Sequence, residues 1–257
     1  MKKNAFTLAE VLICLTIVGV VAATSIPSVV ANVEKNKVGP ALAKAIGNLE
    51  KANIMALQKR GVRRLSEVSG SDGTEYFDIA LAIDINDNEN KGLDPILKAE
   101  KSSKPSNVTY RNYDSNPNSD LNSDAYYYQG LDNIDYIRPA STGLTSVPAT
   151  NIANLPRAYS GRYYMVYVDV NSMKKGPNMI GKDVFLLYVD DKGTVIPFGS
   201  QAYVDYVGET AGKPNYWGKI DGDDTAGQKC MDEKSPVNAK SCAGAIADNR
   251  FRVKYKY

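Results

Sequence analysis

The feature that most constrains this chain is a long apolar run near its N-terminus that contains a single charged residue. The run begins at Phe6, and after Glu10 no charged residue occurs until Glu34. About 20 apolar residues in a helix are enough to cross a bilayer, at roughly 1.5 Å per residue. A carboxylate is costly in hydrocarbon, so Glu10 requires either a partner or a functional reason. The run therefore predicts a membrane-spanning helix with a charge in its first turn that has to be neutralised.

Three kinds of segment could account for this run. A secretory signal peptide would share the basic start at Lys2 and Lys3, but its apolar core is shorter and a small-residue cleavage site follows it. A plain membrane anchor matches the length and leaves Glu10 unexplained. Cleavage in front of the run, between Ala5 and Phe6, would instead create a new amine close to Glu10. A paired ammonium and carboxylate cost far less in an apolar environment than a lone carboxylate.

The segment AFTLAE at residues 5–10, followed by the apolar run, resembles the prepilin-type cleavage and methylation signal of type IV pilins and type II secretion pseudopilins. In that family a membrane peptidase removes a short basic leader in front of an aromatic residue and methylates the new amine. The resemblance implies cleavage between Ala5 and Phe6 and N-methylation of Phe6. It also implies assembly roles for Glu10 and Pro27, which match the family's glutamate and helix-kinking proline. The residue before the cut is usually glycine in the family and is alanine here.

The same resemblance implies what the protein does and where it lies. It implies a structural subunit of a pilus-like filament, processed by prepilin peptidase and polymerised with other pilin or pseudopilin subunits by an inner-membrane assembly platform. The leader would be cytoplasmic, and the C-terminal domain would be periplasmic or extracellular. A type II secretion pseudopilin and a minor type IV pilin share the signal, so both stay open. The alternative is a membrane-anchored binding module of pilin-like fold, either an adhesin or a DNA-uptake tip protein.

Composition gives little support to catalysis or to a polyelectrolyte partner. The sequence contains no histidine, which excludes histidine-based triads and histidine metal sites. It also has no nucleophile elbow, phosphate loop of the Walker type or zinc-ligand spacing. The formal net charge is +2, so net charge alone implies no nucleic-acid partner. We therefore expect no catalytic residues, and no cofactor apart from the calcium ion considered below.

A helical pattern continues beyond the apolar run. Residues 59–61 form a basic last turn followed by glycine, which predicts the end of a helix. Pro27 and the Gly39-Pro40 pair predict a kink or a short break within it, because proline removes a backbone hydrogen bond. Apolar residues recur at three- and four-residue spacing at Val38, Ala41, Leu42, Ala45, Ile46, Leu49, Ala52 and Ala56.

Strand patterns occur in the C-terminal half. Residues 162–170 are mostly β-branched and aromatic. Residues 184–189 and 194–198 flank turn residues and predict a hairpin. Residues 250–257 alternate between basic and apolar side chains, which predicts a final strand with one wholly basic face. By contrast, residues 84–125 are rich in Asn, Asp and Ser and predict a long surface excursion.

The predicted fold class is α+β: a long N-terminal helix, transmembrane and then amphipathic, packed on a C-terminal antiparallel β-sheet in the manner of a pilin. The predicted divisions are the leader at 1–5, the transmembrane or filament-core helix at 6–30, the amphipathic continuation at 31–61, and a soluble pilin-like α+β domain at 62–257 with a loop-rich insertion around 84–125.

Two cysteines near the C-terminus are predicted to form a disulfide. Cys230 and Cys242 would lie on the far side of the membrane from the leader, in an oxidising compartment. Two free thiols are the alternative.

One turn offers weak candidates for a metal site. Asp169, Asn171 and Asp183 could supply oxygen ligands to calcium, and the turn that they flank resembles one found in some pseudopilin-like proteins. The favoured alternative is hydrogen bonding by these side chains within the turn itself. Separately, the basic face of the predicted final strand could contact DNA. Exposed lysine-rich strands more often protect a sheet edge, so nucleic-acid binding is not expected.

Overall fold

The computed structural model describes residues 7–68, 82–83, 99–102, 104–112, 115–123, 125–130, 132–139, 145–146, 162–190, 192–200, 230 and 242–253. The chain divides into two compact units, Met1–Lys37 and Val38–Tyr257.

Four helices lie in the described residues. They are α1 at Leu8–Arg60, α2 at Leu65–Val68, α3 at Ser119–Asn122 and α4 at Cys242–Asp248. The predicted long helix is confirmed. Helix α1 passes through Pro27 and Pro40 without interruption, so the short break offered as an alternative to a kink does not occur. It ends at Arg60, and Gly61, which follows, has a φ of 67°, in the left-handed region that favours glycine.

The described strands form one sheet. They are β1 at Ala82–Ile83, β2 at Ala99–Ser102, β3 at Tyr126–Gln129, β4 at Asp135–Arg138, β5 at Thr145–Ser146, β6 at Arg162–Asp169, β7 at Val184–Asp190 and β8 at Val195–Pro197. Their order is β1-β2-β3-β4-β6-β7-β8, with β5 also paired to β6. The pairings are antiparallel except for the parallel pair β1–β2. The predicted α+β arrangement, with an antiparallel sheet after the long helix, is confirmed.

The centre of the sheet lies where the sequence predicted strands. Strands β6 and β7 pair from Tyr163 opposite Asp190 to Asp169 opposite Val184. The predicted hairpin is present as β7 and β8, and its turn is closed by a 2.9 Å hydrogen bond from the Asp190 N–H to the Thr194 carbonyl. Successive side chains of β7 point to opposite faces, so one strand contributes to two cores. Phe185, Leu187 and Val189 belong to one core, and Val184, Leu186 and Tyr188 to the other.

The C-terminal half of α1 covers the first face of the sheet. Seven of the eight predicted apolar positions are buried, and the eighth, Ala41, is partly buried against the same core. Polar contacts also join this part of α1 to two turns. The Asn53 amide donates to the Gly193 carbonyl at 2.8 Å, and Lys44 forms a 3.1 Å ion pair with Asp132. The predicted amphipathic segment is therefore part of the globular unit from Val38 onward, with its apolar stripe packed on the sheet as the periodicity predicted, whereas residues 31–37 belong to the first unit.

The second face of the sheet is covered by two stretches, residues 104–123 and 171–183. Tyr110 and Leu121 are fully buried in the core on this side. Two backbone hydrogen bonds join the two stretches: the Arg111 N–H donates to the Asn178 carbonyl at 2.8 Å, and the Ile180 N–H donates to the Arg111 carbonyl at 3.0 Å. The segment predicted as a surface excursion around 84–125 therefore includes strand β2, helix α3 and core residues.

The predicted C-terminal strand is wrong in its described part, residues 250–253. Helix α4 ends in two backbone hydrogen bonds, from the Arg250 N–H to the Ala247 carbonyl and from the Phe251 N–H to the Ile246 carbonyl. Arg250 and Phe251 have φ values of 55° and 58°, which is the turn of a Schellman-type helix end. Phe251 packs partly on the core while Arg250 is exposed. The apolar and basic sides were predicted correctly, but the backbone is a helix end. Residues 254–257 lie outside the described residues.

The predicted disulfide joins Cys230 to Cys242, the first residue of α4. Both cysteines are buried in the core beneath α1. Cross-linking of this kind stabilises a fold mainly by restricting the unfolded chain. The disulfide thus ties the start of α4 to a second point in the core.

Candidate processing and assembly site

The part of α1 in the first unit presents an apolar surface on every side. Its large side chains are exposed in the isolated chain, with Leu8 79 % and Leu15 64 % accessible. By length and composition, α1 could cross a membrane. A signal sequence would satisfy the same criterion, so the helix alone does not distinguish the two. A helix that is hydrophobic all round requires an apolar environment, either lipid or the interior of an assembly.

The hydroxyl groups within this apolar segment are satisfied by the helix itself. Each donates to a backbone carbonyl three or four residues earlier, which lowers the cost of placing it in hydrocarbon. The pairs are Thr16 to Leu12, Thr24 to Val20 and Val21, Ser25 to Val21, and Ser28 to Ser25.

Glu10 and Thr7 form a reciprocal pair at the first turn of α1. Oε2 of Glu10 accepts hydrogen bonds from the Thr7 N–H and the Thr7 hydroxyl, both at 2.8 Å. The Glu10 N–H donates to the Thr7 hydroxyl oxygen at 3.3 Å. This is a capping box, in which the residue before the helix and the third helical residue satisfy each other's backbone N–H groups. The second carboxylate oxygen, Oε1, accepts no hydrogen bond from any described residue.

From the sequence, Glu10 was predicted to need a partner from outside its own helix turn, and this internal partner was not predicted. The signal was present, because Thr-x-x-Glu directly before an apolar run is the sequence signature of a capping box. Of the other predicted residues, Ala5 and Phe6 lie outside the described residues, and Pro27 lies within α1. Their predicted roles in cleavage, methylation and assembly stay predictions.

The weak calcium candidates do lie together, at the β6–β7 connection. Asp169 accepts from the Asn171 N–H at 3.1 Å. Asp183 accepts from the N–H groups of Asn178 and Met179, at 2.8 and 2.7 Å. These are the hydrogen bonds that the favoured alternative predicted. Among the described residues, no three acidic or cysteine side chains are arranged as a metal site. Calcium binding stays a prediction, and a stabilising effect of added calcium would test it.

Three buried carboxyl groups meet at this end of the sheet. Asp135 lies directly opposite Asp169 on the neighbouring strand, and Asp183 precedes the strand on the other side. Burial raises the pKa of Asp169 well above its usual range, and the charges of Asp183 and Asp135 raise it further. Burial also raises the pKa of both neighbours. The Tyr110 hydroxyl donates a 3.3 Å hydrogen bond to Asp169, which lowers the pKa of Asp169 and so offsets part of this rise.

This cluster predicts a fold that is more stable in mild acid than in mild base. When folding raises the pKa of a carboxyl above 3.8, ionising that carboxyl costs more in the folded state than in the unfolded chain. The folded state is therefore most stable below the unfolded pKa, and it loses stability as pH rises through the folded pKa. We expect the free energy of unfolding to fall between about pH 5 and pH 8. Asp169→Asn should be more stable than the wild type at the higher pH, because it removes the cost of ionising a buried carboxyl. Urea titrations at both pH values, in the presence of a chelator, would measure this, and parallel pH dependences for the two proteins would contradict it.

Comparison with known proteins finds one family similarity. The model of the prokaryotic N-terminal methylation motif matches residues 1–26. No curated protein and no solved structure matches the chain. The chain therefore carries the prepilin-type signal found in type IV pilins and pseudopilins. The match covers the predicted leader, the capping box and most of the apolar part of α1, whereas the sheet and the segments packed on its two faces lie beyond it.

Proposed function

We propose that this chain is the precursor of a structural subunit of a pilus-like filament, inserted in the inner membrane, processed by prepilin peptidase and then polymerised. The observation that carries the proposal is the methylation motif at residues 1–26. The motif overlaps the apolar part of α1, whose side chains are exposed on every side. A monomer in water would not leave so large an apolar surface uncovered. Lipid covers this surface before assembly, and neighbouring helices cover it afterwards.

Within this class, we propose a type II secretion pseudopilin or a minor type IV pilin rather than an abundant major subunit. The C-terminal unit spans residues 38–257 and covers both faces of its sheet, which supports a specialised globular domain. Other pilin or pseudopilin subunits and an inner-membrane assembly platform are the partners that this role requires.

The proposed orientation places the leader in the cytoplasm and the C-terminal unit in the periplasm or outside the cell. The basic leader residues Lys2 and Lys3 favour the cytoplasmic side for the N-terminus. The disulfide between Cys230 and Cys242 favours an oxidising compartment for the C-terminal unit.

Cleavage between Ala5 and Phe6 is the most direct test of the proposal. In cells that have prepilin peptidase, the intact mass of the membrane-extracted protein should show loss of residues 1–5 and gain of one methyl group. Ala5→Gly restores the residue usual in the family and should be cleaved at least as well. Ala5→Leu places a bulky side chain at the cut and should accumulate as the precursor. A full-length, unmethylated wild-type chain in such cells would refute the proposed processing.

A further inference from the structure

We propose that three arginines at the turn that ends α1 form a docking surface for a carboxylate-rich segment of a partner protein. This arginine turn consists of Arg60, Arg63 and Arg64, and all three side chains are exposed. The inference goes beyond the proposed function, because it concerns the globular unit alone and requires neither leader cleavage nor assembly.

The backbone of the arginine turn is held in place by contacts on both sides. The Gly61 N–H donates to the Gln58 carbonyl at 3.2 Å, and the Val62 N–H donates to the Leu57 carbonyl at the same distance. This pair of hydrogen bonds is a Schellman-type helix end. Val62 packs partly against the core beneath α1, and Leu65 is fully buried in that core. The arginines therefore project from a fixed backbone, which reduces the conformational freedom lost when a partner binds.

The nearest acidic residue along the described chain, Glu67, contacts the turn through its main chain. The Arg63 N–H donates to Oε2 of Glu67 at 3.1 Å, and the Glu67 N–H donates to the Arg64 carbonyl at 3.1 Å. Among the described residues, no ion pair joins the three guanidinium groups to an acidic side chain. Their charges are therefore available to a partner.

The end of α1 accounts for only part of this positive charge. Cations in the last turn stabilise a helix because they lie at the negative end of its dipole, and Lys59 and Arg60 occupy that turn. Arg63 and Arg64 follow the last turn, so the dipole does not account for them. Like charges this close together repel one another, and an anion bound between them relieves the repulsion.

The chemistry of the arginine turn favours protein carboxylates over nucleic-acid phosphates. A guanidinium group binds a carboxylate through two parallel hydrogen bonds. Specific nucleic-acid interfaces are large and strongly basic, whereas this surface spans one turn of a chain with a formal net charge of +2. Residues 57–65 contain no aromatic side chain on which a base could stack. A short acidic peptide is therefore the partner that the arginine turn fits.

Binding of a fluorescein-labelled oligoglutamate peptide to the full-length chain in detergent tests this proposal. Fluorescence anisotropy measures the dissociation constant at low salt, where exposed charge pairs are least screened. Combining Arg60→Gln, Arg63→Gln and Arg64→Gln should weaken binding about tenfold, since three exposed ion pairs that each contribute about twofold are lost.

Two further variants separate the arginine turn from net charge. The matched control combines Lys51→Gln, Lys175→Gln and Arg252→Gln, which removes the same charge from exposed positions elsewhere and should change the affinity less than twofold. Lysine at all three positions of the arginine turn keeps the charge but cannot form the bidentate contact. That variant should bind more weakly than the wild type and more tightly than the triple glutamine variant. It also provides the comparison if the triple glutamine variant loses its near-ultraviolet circular dichroism.

Four outcomes would overturn the proposal. They are no binding by the wild type, wild-type affinity of the triple lysine variant, and equal weakening in the triple glutamine variant and the matched control. The fourth is tighter binding of an oligonucleotide of the same charge as the peptide, lost in the triple glutamine variant, because the partner would then be a nucleic acid. The measurements use the unprocessed chain, so failure of the filament proposal would leave them unchanged and the two proposals can fail separately.

Discussion

Replacing Glu10 with glutamine is expected to abolish filament assembly while leaving membrane insertion and leader cleavage intact. Glutamine can occupy the third helical position of a capping box as glutamate does, so the start of α1 should be preserved. What is lost is the charge that, under the proposed assembly, would pair with the processed amine of Phe6 on the neighbouring subunit. An unpaired charge in low dielectric costs several kcal/mol, which corresponds to more than about a hundredfold loss of the assembled form.

Cross-linking between subunits in the membrane measures this effect directly, and intact mass measures cleavage in the same samples. Glu10→Leu serves as the matched control, because it removes the charge and the capping interaction together. The leucine variant should insert at least as well as the wild type and assemble no better than the glutamine variant. Wild-type cross-linking of Glu10→Gln would show that the charge has no role in assembly. The remaining function of Glu10 would then be its internal contact with Thr7.

The elements that local periodicity predicted correctly are those whose burial is decided by nearby residues. The apolar stripe from Val38 to Ala56 is one face of a helix, and it is buried as a stripe. Strand β7 reads as a continuous apolar run because both faces of the sheet are covered, and its residues are buried without exception. In each case the pattern and the environment have the same repeat.

The segments that cover the second face of the sheet could not be predicted, because their polar side chains form hydrogen bonds inside the fold. Composition favours solvent exposure for a segment rich in asparagine. Here, however, the side-chain amides form hydrogen bonds with backbone groups that have no backbone partner of their own in a helix or strand. Asn118 accepts from the Leu121 N–H at 2.9 Å. Asn122 accepts from the Tyr110 N–H and donates to the Tyr110 carbonyl, at 2.9 and 2.7 Å. These contacts satisfy polar groups that would otherwise prevent burial. Which asparagine meets which backbone group depends on the fold and is not visible in composition.

The C-terminal segment was mispredicted for a different reason. Its strict alternation is typical of a strand, but Arg250 occupies the left-handed position after α4, where glycine is the usual residue. Without glycine there, the sequence carries no strong signal that a helix ends at this point. Phe251 and Val253 nevertheless pack on the core. The alternation therefore predicted correctly which side chains face the core, but not the backbone conformation.

Two glycines of α1 should respond with opposite signs to the same substitution. A Cβ atom at Gly39 would collide with the backbone carbonyl of Phe251, whereas a Cβ atom at Gly47 would meet nothing within 4 Å. Gly39 also precedes Pro40 in a helix, where a side chain crowds the proline ring. We expect Gly39→Ala to destabilise the globular unit by about 3 kcal/mol, at the upper end of the overpacking range. Gly47→Ala should stabilise it by up to about 1 kcal/mol, because alanine has the higher helix propensity.

Urea unfolding of the detergent-extracted chain, monitored by near-ultraviolet circular dichroism, would give the free energies of unfolding of the two variants under identical conditions. The Gly47 variant controls for helix propensity, so the difference between the two variants measures the crowding at Gly39, to which the Phe251 carbonyl and the Pro40 ring both contribute. The contact with Phe251 involves a main-chain atom that follows the Schellman-type end of α4, and such an atom cannot rotate away as a side chain can. A stabilising effect of Gly39→Ala would mean that residues 250–253 do not lie against α1 at this position. The C-terminal segment would then have to be removed from the layer that covers the first face of the sheet.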